Sequence, residues 1–224
     1  MAIYQTIHSQ NNGAFLDSFA EAVMKILVVG ATGAIGSAVA GVLAERGHEV
    51  VRAGRTRGDR QVDITSDASV RALYAAVGRV DAIVSAAGGL FFGPLAEMRS
   101  ADFNIGLQDK LLGQVRLALL GQHVLADGGS ITLTTGVAAD DPVRGGGNAA
   151  AVNAAVEGFV KGAAIELARG LRINAVSPTL LTESLAAYGA LFPGVETVPA
   201  ARVALAYVRS VEGPLTGRVF RVWQ

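Results

Sequence analysis

The sequence predicts a single doubly wound α/β domain, with about seven parallel strands and helices on both faces. Three observations lead there. Short runs such as "KILVVG" (25–30) and "VDAIVSAAG" (80–88) are apolar continuously rather than alternately, as strands covered on both faces are. Longer Ala- and Leu-rich segments of helical character separate these runs. No Pro/Ser-rich linker and no internal repeat divides the chain.

Organised sequence begins at Met24, which opens "MKILVVGATG". Residues 1–23 read as an extension or leader, within which Phe15 to Val23 offers a short helix. They have neither a basic start nor a continuous apolar core, so they are not a secretory signal. The domain is expected to span 24–224. After the first strand, "AIGSAVAGVLAERG" reads as a helix ending at Gly47. "HEVVRAG" (48–54) and "RQVDI" (60–64) read as the second and third strands. "SDASVRALYAAVG" (66–78) is a helix capped at Ser66 or Asp67 and stopped at Gly78. The fourth strand is 80–88, followed by a helix over 102–125 and the strand "SITLTTG" (130–136). "GGGNAAAVNAAVEGF" (145–159) opens a helix running to about Gly170, and "RINAVSP" (172–178) is the sixth strand. A variable region, a helix near 198–210 and a last strand "GRVFRVW" (217–223) complete the order.

Composition narrows the function classes. Hydrophobic residues at 51% against 17% charged exclude a disordered chain. Lys+Arg and Asp+Glu balance at 19 each, which removes the electrostatic case for a nucleic-acid or anionic-membrane binder. No apolar run approaches the ~20 residues of a membrane span, so a soluble, cytoplasmic protein is expected. Without cysteine there are no disulfides, thiolate nucleophiles or Cys-based metal sites. His8, His48 and His123 are too scattered for a metal pattern and read as surface or turn residues, so no metal is expected.

The first strand runs into "GATGAIG", with Gly30, Gly33 and Gly36 spaced G-x-x-G-x-x-G. Gly30 would permit the tight turn, Gly33 the approach of a pyrophosphate, and Gly36 close packing of the helix whose N-terminus faces the phosphates. Strand before and helix after make this a nucleotide site of Rossmann type rather than a bare tight connection. At the end of the second strand, where a carboxylate would hold an NAD ribose, the chain reads "RAGRTRGDR". Arg55, and after it Arg57, would hold a 2′-phosphate, which favours NADP(H) over NAD(H). A solvated basic loop is the competing reading, and Asp59 is the carboxylate placed to weaken the case.

These motifs together resemble a short-chain dehydrogenase/reductase from Met24 to Val222. "GATGAIG" is similar to that family's nucleotide turn, which sets Thr32, Ala34 and Ile35 beside the cofactor with the three glycines. "VDIT" (62–65) matches the pair that flanks adenine, here Asp63 and Ile64, and "SAAGG" (85–89) puts Ala86, Ala87 and Gly88 beside the cofactor. "RINAVSP" and "LTGRVFRV" resemble its late strands, with Pro178 and Thr182 near the nicotinamide. The resemblance implies carbonyl/alcohol oxidoreduction by a Tyr, Lys, Ser and Asn tetrad. Aligned on "AAVEGF", Ala149 stands at the tyrosine position and Asn153 at the lysine position, four apart on one helical face. Neither can move a proton. Gly136 falls at the serine position with Thr135 beside it, and "KLLG" puts Lys110 at the asparagine position. Thr135 is either a substitute hydroxyl or an ordinary strand threonine; Lys110 is either a cleft ammonium or a lysine on an exposed helix face. Tyr188, in the variable region, reads as a lid aromatic.

Three functions compete: an NADP(H)-dependent oxidoreductase with a rearranged relay through Lys110 and Thr135, a non-catalytic NADP(H)-binding sensor or scaffold, and a fold with no nucleotide. The glycine turn and the arginines argue against the third. Family analogy further implies a small-molecule substrate and a homodimer or homotetramer, formed through the helices near 102–125 and 146–169.

Overall fold

The computed structural model describes residues 22–223. The expected helix at 15–23 lies outside that range except for Ala22 and Val23, which are not helical. Seven strands form one parallel sheet: β1 Lys25–Val29, β2 Glu49–Gly54, β3 Arg60–Gln61, β4 Val80–Ser85, β5 Leu125–Thr134, β6 Arg172–Pro178 and β7 Val219–Val222. Their spatial order is β3-β2-β1-β4-β5-β6-β7. The chain therefore winds outward from β1 to one edge and resumes on the other side of β1 with β4. The point of reversal leaves a crevice beyond the carboxyl ends of β1 and β4, where open α/β sheets bind ligands.

Alternate residues of β1 serve opposite faces. Leu27 and Val29 join a core with Ile83, Leu117, Ile131 and Val156, whereas Ile26 and Val28 join Val39, Leu43, Val203 and Tyr207. Both faces are dry, which is why the strands read as unbroken apolar runs.

Among the described residues six α-helices accompany the sheet. α1 (Ala34–Glu45) follows Gly33 with no side-chain cap. α2 (Asp67–Val77) starts at Ser66, whose hydroxyl accepts from the Ser69 N–H, and stops at Gly78 with φ +72°. α3 is the expected long helix, but it runs Ser100–Gly106, passes through a π-helical segment Leu107–Leu112, and ends as Gly113–Gly121. α4 spans Gly147–Glu166 and α5 is the single turn Leu185–Tyr188. α6 (Ala200–Glu212) is capped by the Glu183 carboxylate, which accepts from the Ala200 N–H.

Several boundaries differ from expectation. The fourth strand ends at Ser85 rather than 88, the helix expected over 102–125 ends at Gly121, and the last strand is Val219–Val222. Three others have a local cause. The strand expected over 60–64 pairs only at Arg60–Gln61, after which the chain drops into the Asp63 turn that leads to α2. The strand expected over 130–136 starts earlier, at Leu125, because Leu125 pairs with Val80. α4 ends at Glu166, since Arg169 and Gly170, both with positive φ, make the turn into β6. His48, expected at the surface, is buried and faces Glu212 at 3.1 Å, with Arg46 on the same carboxylate.

Two glycines of α1 separate tight packing from simple exposure. A Cβ on Gly36 would run into the Gly30 carbonyl and come within 2.9 Å of Ala31 Cα, whereas one on Gly41 would meet nothing within 4 Å. Gly36→Ala should cost at least about 2 kcal/mol in chemical unfolding. Gly41→Ala should add about 0.5–1 kcal/mol. Equal effects would show that the turn does not pack as described.

Candidate active site

The crevice holds two adjoining cavities. The first, about 290 Å3, lies over the glycine turn and is lined by Gly30, Thr32, Gly33, Gly54, Arg55, Val62, Ile64, Ala86, Ala87, Gly88 and Asp109, among others. Gly30, at φ +83°, turns β1 so tightly that a Cβ would sit 2.5 Å from the Ala86 carbonyl oxygen. Gly33 is different. Its φ is −85°, and a Cβ there would meet only the Gly30 oxygen at 3.5 Å. The fold does not itself need glycine at 33, and its absent side chain leaves the backbone open to the cavity. With the uncapped N-terminus of α1 beside it, this floor fits a dinucleotide pyrophosphate.

Of the expected cofactor residues, Ala34, Ile35, Gly36, Arg57 and Asp63 do not line this cavity. Gly36 lies beneath the turn, and Arg57 is exposed. Asp63 accepts from the Thr65 N–H and hydroxyl, and those bonds hold its carboxyl below the usual range. Arg55 is in the wall, largely exposed, with Asp63 at 3.9 Å and Asp109 at 3.6 Å. Asp59, expected to compete for the arginines, instead accepts from the Arg52 N–H. The pair with Asp63 is exposed and long, hence weak, whereas Asp109 is partly buried and held by the Gly89 N–H. Asp109 went unnoticed in the sequence because only folding brings residues 55 and 109 together.

The second cavity, about 270 Å3, meets the first at Gly88. Its wall includes Lys110, Gly136, Ala149, Asn153, Pro178, Thr179, Ser184 and Tyr188. Ala149 and Asn153 thus face the cleft together, as their spacing on α4 requires. Thr182 does not line it and instead donates its hydroxyl to Thr197 Oγ1 at 3.1 Å; Thr179 stands in the wall in its place. The Tyr188 ring lies 6.0 Å from that of Phe92, at the rim. Beyond Phe92 and Phe192, both shared by the two spaces, opens a mostly apolar lobe of about 760 Å3 that includes Pro94, Val143 and Leu191, with Asp141 and Arg144 also in its wall.

Lys110 is buried within the π-helical segment, in a local geometry often found at functional sites. Its Nζ donates to the Thr135 carbonyl at 3.1 Å, and burial pulls its pKa down to about 8. One helical turn on, Gln114 donates to the Thr134 carbonyl at 2.8 Å and accepts from the Thr134 N–H at 2.7 Å. Two side chains of α3 therefore grip the end of β5. Thr135 gives Lys110 its carbonyl, not its hydroxyl. That hydroxyl donates to the Asn153 carbonyl at 3.0 Å, lies 3.3 Å from Glu157, and does not line the cleft. Burial, and after it Asp140, pushes the Glu157 carboxyl up, against the opposing pull of Arg221.

The two asparagines of α4 differ sharply. Asn148 donates to the Phe103 carbonyl at 2.7 Å and accepts from the Phe91 N–H at 3.0 Å, tying α4 to α3. Asn153 is equally buried, yet its Oδ1 has no hydrogen-bond partner. No group of His, Cys, Asp and Glu among the described residues could hold a metal ion, and no described helix is long and apolar enough to cross a membrane.

Comparison with known proteins follows this geometry. Residues 30–207 match the family model described as enoyl-(acyl carrier protein) reductase. A hydroxynaphthalene reductase of Aspergillus fumigatus is 31% identical across 68% of this chain, which spans 64% of that protein. Cis-4-hydroxycyclohexanecarboxylate dehydrogenase of Sinomonas cyclohexanicum is 32% identical, over 72% of this chain and 74% of its own. Among solved structures, the protein lin1944 from Listeria innocua superposes with a TM-score of 0.88 at 48% identity, covering 90% of this chain and 100% of that one. A small-chain dehydrogenase in complex with NADPH gives a TM-score of 0.80 at 30% identity, covering 90% and 97%.

The buried ammonium has a pH signature. Between the folded pKa of about 8 and the ordinary value of 10.5, the unfolded chain holds a proton that the folded chain has released. Stability relative to a Lys110→Met variant should therefore rise across that window, by on the order of 3 kcal/mol, and the penalty should be fully present below pH 8. Parallel stability curves for the two proteins would show that Lys110 is not buried as a cation.

Proposed function

This chain belongs to the short-chain dehydrogenase/reductase family of oxidoreductases, and from that premise we propose that it is an NADP(H)-dependent member whose proton relay runs through Lys110. The observation that carries the reading is the placement of Lys110: buried, in the wall of the cleft that adjoins the dinucleotide floor, beside Ala149 and Asn153. Gly30, Gly33 and the start of α1 hold the pyrophosphate, and Arg55 holds the 2′-phosphate. Asn153 offers its unpaired Oδ1 to a ribose hydroxyl. A bound nicotinamide supplies or accepts hydride. Lys110 holds the proton for the substrate oxygen and, near its pKa, regains one from solvent. The apolar lobe beyond Phe92 and Phe192 takes the rest of the substrate.

One observation favours a second reading, a NADP(H)-binding sensor or scaffold without turnover. The hydroxyl of Thr135, nearest the serine position, is engaged by Asn153 and Glu157 rather than turned to the cleft. Titration and turnover separate the two. NADPH should bind more tightly than NADH, and Arg55→Ala should weaken NADPH about tenfold or more while sparing NADH. NADPH should be consumed with some members of an aldehyde, ketone and quinone panel, and Lys110→Met should slow this about a hundredfold without loss of cofactor binding. Binding without any consumption leaves the sensor reading; tighter binding of NADH removes the role given to Arg55.

The same reading includes self-association through α3 and α4. Ile105, Leu112 and Leu119 are exposed at seven-residue intervals along α3, and Ile165 on α4 is 87% exposed. A Cβ on Gly158 or Gly162 of α4 would meet nothing within 4 Å, so another helix can approach closely there. A second copy, related by a two-fold axis, would cover this apolar face. Light scattering should report a dimer, or a tetramer if a further face pairs, and Leu119→Asp with Gly162→Arg should reduce it to monomer. A variant that keeps the native mass would place the interface elsewhere.

A further inference from the structure

The nucleotide cavity carries a group that the role of Arg55 does not account for. No carboxylate stands at the end of β2, the usual place for one that holds an adenosine ribose. The fold brings one there from α3. Asp109 lines the nucleotide cavity with Gly54, Arg55, Val62 and Ile64, and Arg55 and Asp109 are the only charged residues in that lining. Lys110, the next residue, lines the adjoining cavity instead. Consecutive residues of the π-helical segment thus serve two different spaces.

Asp109 is held by one oxygen and open at the other. A Cβ on Gly89 would come within 2.9 Å of its Oδ2, so the carboxylate rests against bare backbone. There Oδ2 accepts from the Gly89 N–H at 3.0 Å. Its Oδ1 has no hydrogen-bond donor among the described residues, and Arg55 Nη2 stands 3.6 Å away. Asp63, the other carboxylate near Arg55, lies outside the lining and commits its Oδ1 to Thr65. Asp109 therefore presents an oriented carboxylate acceptor beside the arginine.

We propose that Asp109 is a specificity-determining residue of the cofactor site, whose Oδ1 accepts from a hydroxyl of the adenosine ribose and so gives NAD(H) a contact beside the Arg55 that takes the 2′-phosphate of NADP(H). The inference rests on the nucleotide reading proposed above. In NADH the ribose 2′-hydroxyl donates to the carboxylate. In NADPH a phosphate replaces that hydroxyl; Arg55 attracts it, and Asp109 opposes it as a like charge. The two residues pull the preference in opposite directions, and the advantage of NADPH is smaller than Arg55 alone would give.

Asp109→Asn tests the charge rather than the fold, because the amide is close to isosteric and keeps an oxygen for the Gly89 N–H. In titrations of the full chain it should weaken NADH about tenfold and tighten NADPH severalfold, with the thermal midpoint unchanged. The same split should appear with 5′-AMP and adenosine 2′,5′-bisphosphate, which carry the ribose without the nicotinamide. In an Arg55→Ala background the loss for NADH should persist, since a hydroxyl bond to Asp109 does not need the guanidinium. If Asp109→Asn weakens both nucleotides alike, or leaves NADH unchanged, the proposal is overturned while the NADPH site stands. Disappearance of the effect in the Arg55→Ala background overturns it too, reducing Asp109 to a residue that only positions Arg55. Failure of the unaltered chain to bind either nucleotide overturns the nucleotide reading, and this inference with it.

Discussion

The backbone of Lys110 occupies the space that a side chain on residue 88 would fill. A Cβ on Gly88 would fall 2.6 Å from Lys110 Cα, and Gly88 adopts φ +120°, so residue 88 is glycine on two counts. That close crossing fixes α3 over the end of β4 and sets the junction between the two cavities. Once α3 is pressed there, Lys110 and Gln114 fall on its inner face and hold the carbonyls at the end of β5. An ammonium with one carbonyl partner and no carboxylate is costly to bury, and its lowered pKa expresses that cost. The same constraint that closes the fold thus buries the Lys110 ammonium in the wall of the cleft.

The sheet and the glycine turn were legible because their causes are local. Continuous apolar runs follow from two dry faces, Gly36 from its contact with Gly30 and Ala31, and Gly30 from its own φ of +83°, although the backbone that crowds it comes from Ala86. What stayed hidden depends on distant chain. The carboxylates around Arg55 arrive from residues 63 and 109, and the partner that buries His48 comes from residue 212. The π-helical segment of α3 has no signature in "LQDKLL", and its crossing against Gly88 and its bond to the Thr135 carbonyl involve residues distant in the chain. Thr135 shows the limit most plainly: the sequence supplies a hydroxyl near the serine position, and only the fold shows it turned toward α4.

A pocket that had merely decayed would be expected to have filled or satisfied its polar atoms. Three buried side-chain atoms among the described residues lack partners: Ser85 Oγ, Ser130 Oγ and Asn153 Oδ1. Of these residues only Asn153 lines a cleft. An unpaired buried amide oxygen costs about 1–3 kcal/mol, and the alanines that flank it show that α4 accepts a small apolar residue nearby. Asn148, on the same helix, is fully bonded, so the open valence at 153 is not a general property of asparagine here. Stability alone therefore gives no reason for Asn153, and its Oδ1 is left open to a hydroxyl donor in the cleft. Gly33 makes the same argument from the other end of the crevice, where the fold leaves room for a side chain and the chain supplies none. The two positions are far apart in sequence, and on the proposed function they share one explanation, a dinucleotide lying from the turn after β1 to the face of α4. On that reading a nucleotide can stay bound while the proton relay differs, and turnover then rests on Lys110.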